Sequence, residues 1–230
     1  MPHGNDRIGG RRSPVQLVIG NKNYSSWSMR PWVLMRQLGI AFDEVALRFD
    51  FTPGSEFYRR LAGYTPAAKV PVLVDDGLAV WDTLAIVEYL AERFPKSGVW
   101  PAGARDRARA RSLCAEMHAG FGALRSRCPQ NLEVCWPELG QRLLAEHEEL
   151  RRDLTRIVEM WSGCLAEHGG PFLFGDFCAA DAFYAPVVGR IRSYALPVPA
   201  DVQRYCDRVW AAPGVAAWVQ AALAEHDFLP

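Results

Sequence analysis

Residues 69–83 read KVPVLVDDGLAVWDT, and the order of features along this stretch decides the fold. Two apolar runs, Val72-Leu73-Val74 and Leu78-Ala79-Val80, flank Asp75-Asp76-Gly77. An Asp-Gly pair between apolar runs favours a tight turn with positive φ at its centre, so the segment is read as a β-hairpin. Lys69-Val70-Pro71 leads into its first strand. An X-Pro bond there can be cis and turn the preceding backbone outward to pair with an extended ligand; a trans proline at a strand start is the plainer alternative. Trp81-Asp82-Thr83 leads out of the hairpin into residues 82–94, which are apolar at Leu84, Ile86, Val87, Leu90 and Ala91, the period of a helix.

Upstream, Gln16 to Gly20 is a strand, Met29 to Gly39 a helix closed by Gly39, Phe42 to Phe49 a second strand, and Glu56 to Leu61 a short helix. The order is strand–helix–strand, a connecting helix, then strand–strand–helix. A right-handed crossover followed by a hairpin gives a mixed α/β sheet of four strands with helices on its faces. Downstream the grammar changes. Pro95 to Pro101 reads as a linker, and only helices follow: Arg105 to Arg127, with Leu113, Met117, Phe121 and Leu124 on one stripe; Glu138 to Glu167; and shorter helices starting near Ala179, Asp201 and Pro213. The expected organisation is a tail over 1–14, an α/β domain over 15–95 and an all-α domain over 101–230. No internal repeat is visible.

Composition bounds the function. The chain has 230 residues, 50% of them hydrophobic, and equal numbers of basic and acidic side chains, 26 each. Zero net charge argues against nucleic acid and anionic membrane as partners, because both call for a basic face. No apolar run approaches about 18 residues, the length of a membrane span. The first fourteen residues lack the apolar core of a secretory signal. Six cysteines, all after position 113, show neither CxxC nor metal-ligand spacing. They read as reduced thiols in a cytoplasmic protein, filling core positions, and no metal site is expected.

Three stretches carry chemistry. Tyr24-Ser25-Ser26-Trp27-Ser28-Met29-Arg30 lies between the first strand and its helix, where hydroxyls, backbone N–H groups and the helix dipole favour an anion; plain N-capping is the simpler role of a serine there. Val70-Pro71 offers the backbone pairing described above. Asp82 and Thr83, at the start of the next helix, suit an amino-acid head group: the carboxylate of Asp82 takes an ammonium, while the helix terminus and the Thr83 hydroxyl take a carboxylate. Capping is again the simpler role.

In this order and spacing the three stretches resemble the N-terminal half of the glutathione transferases. YSSWSMRP over 24–31 resembles the serine-type members, whose zeta branch carries a Ser-Ser-Cys-Ser run. Phe174-Gly175-Asp176-Phe177-Cys178-Ala179-Ala180-Asp181 resembles the family's capped core helix, Gly-Asp-x-Ser/Thr-x-x-Asp. The resemblance runs from about Gln16 to the C-terminus. It implies a thioredoxin-like glutathione-binding domain followed by an all-helical domain that forms the electrophile pocket.

It further implies that Ser25 donates a hydrogen bond to the glutathione sulfur, with Ser26 as fallback and Tyr24 as a less favoured hydroxyl. Val70 pairs with the cysteinyl backbone beside a cis Pro71, Asp82 and Thr83 hold the γ-glutamyl head, and Lys69 and Trp27 lie near the glycyl end. Met117, His118 and Phe121 are assigned to the electrophile wall; core packing for Met117 and Phe121 and a solvated surface for His118 are equally open. The implied reaction is conjugation of a glutathione thiolate to a small, hydrophobic electrophile by a homodimer. Glutathione is a co-substrate, and no permanently bound cofactor is needed. Lowering a thiol pKa from about 8.5 by ~2 units requires roughly 2.7 kcal/mol, within reach of one or two donors. Alternatives are a glutathione-dependent isomerase of the zeta type and a non-catalytic ligand carrier. Two departures bear on them. Trp27 stands where zeta sequences have cysteine, and no thiol lies in the Ser25 loop to support thiol exchange. Cys178 replaces the usual capping hydroxyl, so a weakened cap is expected, with Asp181 compensating in part.

Overall fold

The computed structural model describes residues 14–227; the expected tail over 1–14 falls almost wholly outside them. The first half is a thioredoxin-like domain: β1 (Val15–Ile19), α1 (Ser26–Gln37), β2 (Phe42–Ala46), α2 (Glu56–Ala62), β3 (Val72–Asp75), β4 (Leu78–Trp81) and α3 (Thr83–Arg93). The sheet order is β2-β1-β3-β4, with β1 parallel to β2 and antiparallel to β3, and β3 antiparallel to β4. The hairpin turn has φ of 49° at Asp76 and 81° at Gly77, as an Asp-Gly turn requires.

Alternation along β1 assigns its two faces. Val15, Leu17 and Ile19 join the large core shared with α1, α3 and the helices beyond. Val18 points to a smaller cluster with Leu47, Phe49, Phe57, Leu61 and Val72. One continuous core therefore spans sheet and helices, and the site between them rests on packed walls from both sides.

The second half is helical: α4 (Ala104–Ala119), α5 (Gly122–Arg127), α6 (Pro137–Glu146), α7 (Glu148–His168), α8 (Ala179–Ser193), α9 (Ala200–Ala211) and α10 (Pro213–Glu225). Both long helices expected from periodicity are broken. The first stops at Gly120, and Phe121 takes a left-handed φ of 54° before α5 begins. The second breaks at His147, whose extended backbone separates α6 from α7. α1 starts three residues earlier than expected, at Ser26, with Ser25 as its N-cap, and β2 ends at Ala46 instead of Phe49. Five cysteines are buried, but Cys135 is exposed. Among the described residues no helix is long and apolar enough to cross a membrane.

At the start of α8, Asp181 closes a capping box with Cys178: its carboxylate accepts the Cys178 N–H at 3.0 Å. It also accepts from Leu173 N–H at 3.1 Å and from the Tyr205 hydroxyl at 3.0 Å. Compensation by Asp181 for the weak thiol cap is thus extensive.

Candidate glutathione site

A cavity of about 490 Å³ lies between the two halves, lined by Trp27, Ala67, Lys69, Val70, Pro71, Trp81, Asp82, Thr83, His118 and Arg125. Seven of these are residues singled out from the sequence. They come from the α1 start, the β3 entrance, the α3 start and, for His118, from α4.

The α3 start is held in a rare conformation. Asp82 has φ 71° and ψ 130°, unusual for a residue with a side chain. Such backbone costs of order 1–3 kcal/mol and persists where its surroundings over-determine it, often at functional sites. Three contacts do so here. Asp82 Oδ1 accepts the Leu84 N–H at 2.9 Å and caps the helix, and Oδ2 pairs with His118 Nε2 at 2.7 Å. Next to it, the Thr83 hydroxyl donates to the Trp27 carbonyl at 3.3 Å. That last bond follows from the sequence of α1. Pro31 lies inside the helix and has no N–H, so the carbonyl four residues back, that of Trp27, loses its helical donor. Thr83 supplies the substitute and ties the two helix starts together at the cavity wall.

The Val70–Pro71 peptide is cis, and no backbone hydrogen bond occupies Val70 among the described residues. Lys69 is exposed beside it.

The serine loop is more self-contained than the sequence suggests. Ser25 is buried, and its hydroxyl donates to Ser28 Oγ at 2.7 Å while accepting the Ser28 N–H at 3.4 Å. Ser28 Oγ also accepts the Gly20 N–H at 3.2 Å. Neither Ser25 nor half-buried Ser26 lines the cavity; from this loop only Trp27 does. Tyr24 is half-buried and packs against the smaller core cluster. Met117 and Phe121 are not on the cavity wall but buried in the large core, Met117 on the buried face of α4 and Phe121 at the left-handed junction before α5.

Sequence reasoning missed Arg125, Trp81 and Ala67. Trp81 adjoins Asp82 and was within reach of strand alternation. Arg125, on α5, is one arginine among many and carried no local signal. It meets the cavity beside Trp27, whose ring centroid lies 4.0 Å from the Arg30 guanidinium, 5.5 Å from that of Arg125 and 5.5 Å from the His118 ring. Arg30 is fully buried, donating to the carbonyls of Phe183 at 3.0 Å and Ser26 at 2.9 Å. Burial first, then repulsion from Arg190 and Arg125, lowers its pKa well below the usual arginine value. Among the described residues no group of three or more His, Cys, Asp or Glu is placed to hold a metal ion.

A thioredoxin-like sheet domain joined to a helical domain, with a cavity between them walled by the β3 entrance and the α3 start, defines a glutathione-transferase type of architecture. Two family descriptions match: "Glutathione S-transferase, N-terminal domain" over residues 24–93 and "Glutathione S-transferase, C-terminal domain" over residues 145–221. The chain belongs to the glutathione S-transferase family. It is similar to the glutathione S-transferase-like protein OpS6 of Beauveria bassiana, 24% identical over 93% of this chain and 91% of that protein. It is also similar to the maleylacetoacetate isomerase of Rattus norvegicus, 26% identical over 74% and 76%. Some other relatives match over 68 residues only, 23% and 24% of their own lengths. Among solved structures, a glutathione transferase homologue from Burkholderia gl BGR1 with bound glutathione has a TM-score of 0.68 and 25% identity, covering 94% of this chain and 100% of that one.

Proposed function

We propose that the chain is a glutathione transferase that binds the tripeptide in the cavity between its halves and joins its thiolate to an electrophile. The observation that carries this reading is the meeting of Trp27, Lys69, Val70, Pro71, Asp82 and Thr83 on one cavity wall. Contiguous motifs far apart in the chain thereby offer complementary chemistry. The Asp82 carboxylate and the Thr83 N–H, at the first position of α3, face the γ-glutamyl ammonium and carboxylate. The Val70 backbone pairs with the cysteinyl unit, and Lys69 takes the glycyl carboxylate.

The sulfur lies at the start of α1, where the dipole favours the anion. Ser25, which is buried against Ser28 and off the cavity lining, is the donor only where the sulfur reaches past that lining to its hydroxyl. The 2.7 Å contact between Ser25 and Ser28 accommodates either hydroxyl proton. When Ser28 donates to Ser25, the Ser25 proton is released toward the sulfur and lowers the thiol pKa. The thiolate then attacks the electrophilic carbon of the second substrate, and the electron pair of the broken bond leaves with the departing group. The working unit is a homodimer, supported by Phe51, 64% exposed beside Phe49 and Phe57.

A purified Ser25→Ala variant should conjugate glutathione to a generic aryl halide at least tenfold more slowly. It should also lose about 1 kcal/mol of stability, because Ser25 is the α1 N-cap. Unchanged turnover would move the sulfur contact to Ser26 or Tyr24. Likeness to a maleylacetoacetate isomerase supports a second reading, isomerisation with glutathione returned. Net loss of free thiol during turnover distinguishes conjugation from it. Glutathione binding without any rate above background would instead indicate a carrier.

A further inference from the structure

The helical half brings two polar side chains to the cavity, His118 and Arg125. His118 is engaged by Asp82 at 2.7 Å. Arg125 has neither a hydrogen-bond acceptor nor a carboxylate partner among the described residues, and its Nε is buried without a partner. Immediately behind it the positive charge accumulates. Arg30, fully buried against the same Trp27 ring, leaves Nη2 unsatisfied. Arg190, also buried, donates among the described residues only to the carbonyls of Cys128 and Pro186. Burial chiefly, with Arg125 repelling, holds the Arg190 guanidinium down to about 10, and among the described residues the hydrogen bonds of Arg30 and Arg190 go to carbonyls, not carboxylates. A protein with balanced charge overall thus places two arginines, Arg30 and Arg125, against one indole, with Arg190 close enough behind for repulsion, and none of the three forms an ion pair among the described residues.

A purely apolar second substrate would strip water from Arg125 and give nothing back, which is costly for a buried donor. A carboxylate would accept its N–H groups in a charge-assisted pair and be held further by the field of Arg30 and Arg190. We propose that the second substrate is an anionic electrophile whose carboxylate is bound by Arg125. This rests on the glutathione reading and narrows it: the electrophile wall is selected for charge, not for hydrophobicity alone. Glutathione's own carboxylates are served from the sheet half, by Lys69 and the α3 start, which leaves Arg125 to the other substrate.

Two conjugates of matched shape test this by titration calorimetry on the full chain: S-(4-carboxybenzyl)glutathione and its neutral amide, S-(4-carbamoylbenzyl)glutathione, with glutathione alone as reference. The native protein should bind the carboxylate at least tenfold more tightly than the amide. Arg125→Gln should bring the two within about twofold of each other and leave the affinity for glutathione within about threefold. Equal binding of the two conjugates by the native protein would overturn the proposal. So would an Arg125→Gln variant that weakens glutathione and both conjugates alike, since Arg125 would then serve the tripeptide. Loss of all three ligands in the native protein would instead bring down the glutathione reading beneath it.

Discussion

Asp82 shows how much one residue can be asked to do at the edge of a site. It caps α3, pairs with His118 across the two halves, and adopts a backbone that a side chain seldom takes. Its sequence neighbours announced the helix start, but the positive φ had no local sign, because it is imposed by the α1 and α4 contacts. Asp181 is a buried carboxylate of a different kind. Burial pushes its pKa up to about 6 against the pull of the Cys178, Leu173 and Tyr205 hydrogen bonds. A carboxyl raised above its unfolded value of 3.8 contributes stability that is complete below that value and lost as pH rises through 6. The unfolding free energy of the native chain, measured against Asp181→Asn by urea titration, should therefore rise by roughly 1 kcal/mol between about pH 7 and pH 5. A gap that stays constant would show that Asp181 does not titrate in that window.

At the level of elements, legibility followed the range of the interactions involved. The β3–β4 hairpin was readable because its turn geometry is dictated by Asp76 and Gly77 themselves. The breaks at Phe121 and His147 were not, because apolar spacing runs straight through both: Leu113, Met117, Phe121 and Leu124 keep helical intervals whether or not the helix is continuous. At the first break the local sign is Gly120, extended and so close to the Glu116 carbonyl oxygen that a Cβ would meet it at 2.7 Å, but apolar spacing alone does not register it. Close approach of α10 to α1 was equally silent. A Cβ added at Gly214 would sit 2.8 Å from the Val33 carbonyl oxygen and 3.1 Å from the Gln37 nitrogen. The Gly214 N–H already donates to Gln37 Oε1 at 2.9 Å. Gly214→Ala should accordingly cost about 1–3 kcal/mol by pushing α10 off the helix that carries the serine loop. Thermal unfolding with the native chain as control measures it, and an unchanged midpoint would mean that the two helices separate freely.

Across the whole molecule, the serine loop belongs to both halves. Asn21, Lys22 and Asn23, which precede it, are tied down from beyond the linker. Glu225 accepts the Lys22 N–H at 2.8 Å and the Asn23 N–H at 3.3 Å. Asn23 bonds Glu133 and the Leu132 N–H, and Asn21 bonds Asp227. The sheet-half wall of the cavity was legible because each motif there is contiguous; Arg125 was not, since only the placement of α5 beside Trp27 gives it meaning. The account's central claim joins these scales: glutathione lies along the β3 entrance and the α3 start, with its sulfur at the head of α1. A crystal structure of the full chain with glutathione tests this most directly. The account predicts the γ-glutamyl group against Asp82 and Thr83, the cysteinyl backbone paired with Val70, and the sulfur within hydrogen-bonding distance of the Ser25 hydroxyl. Glutathione bound elsewhere, or in this cavity with its sulfur remote from both Ser25 and Ser26, would contradict it.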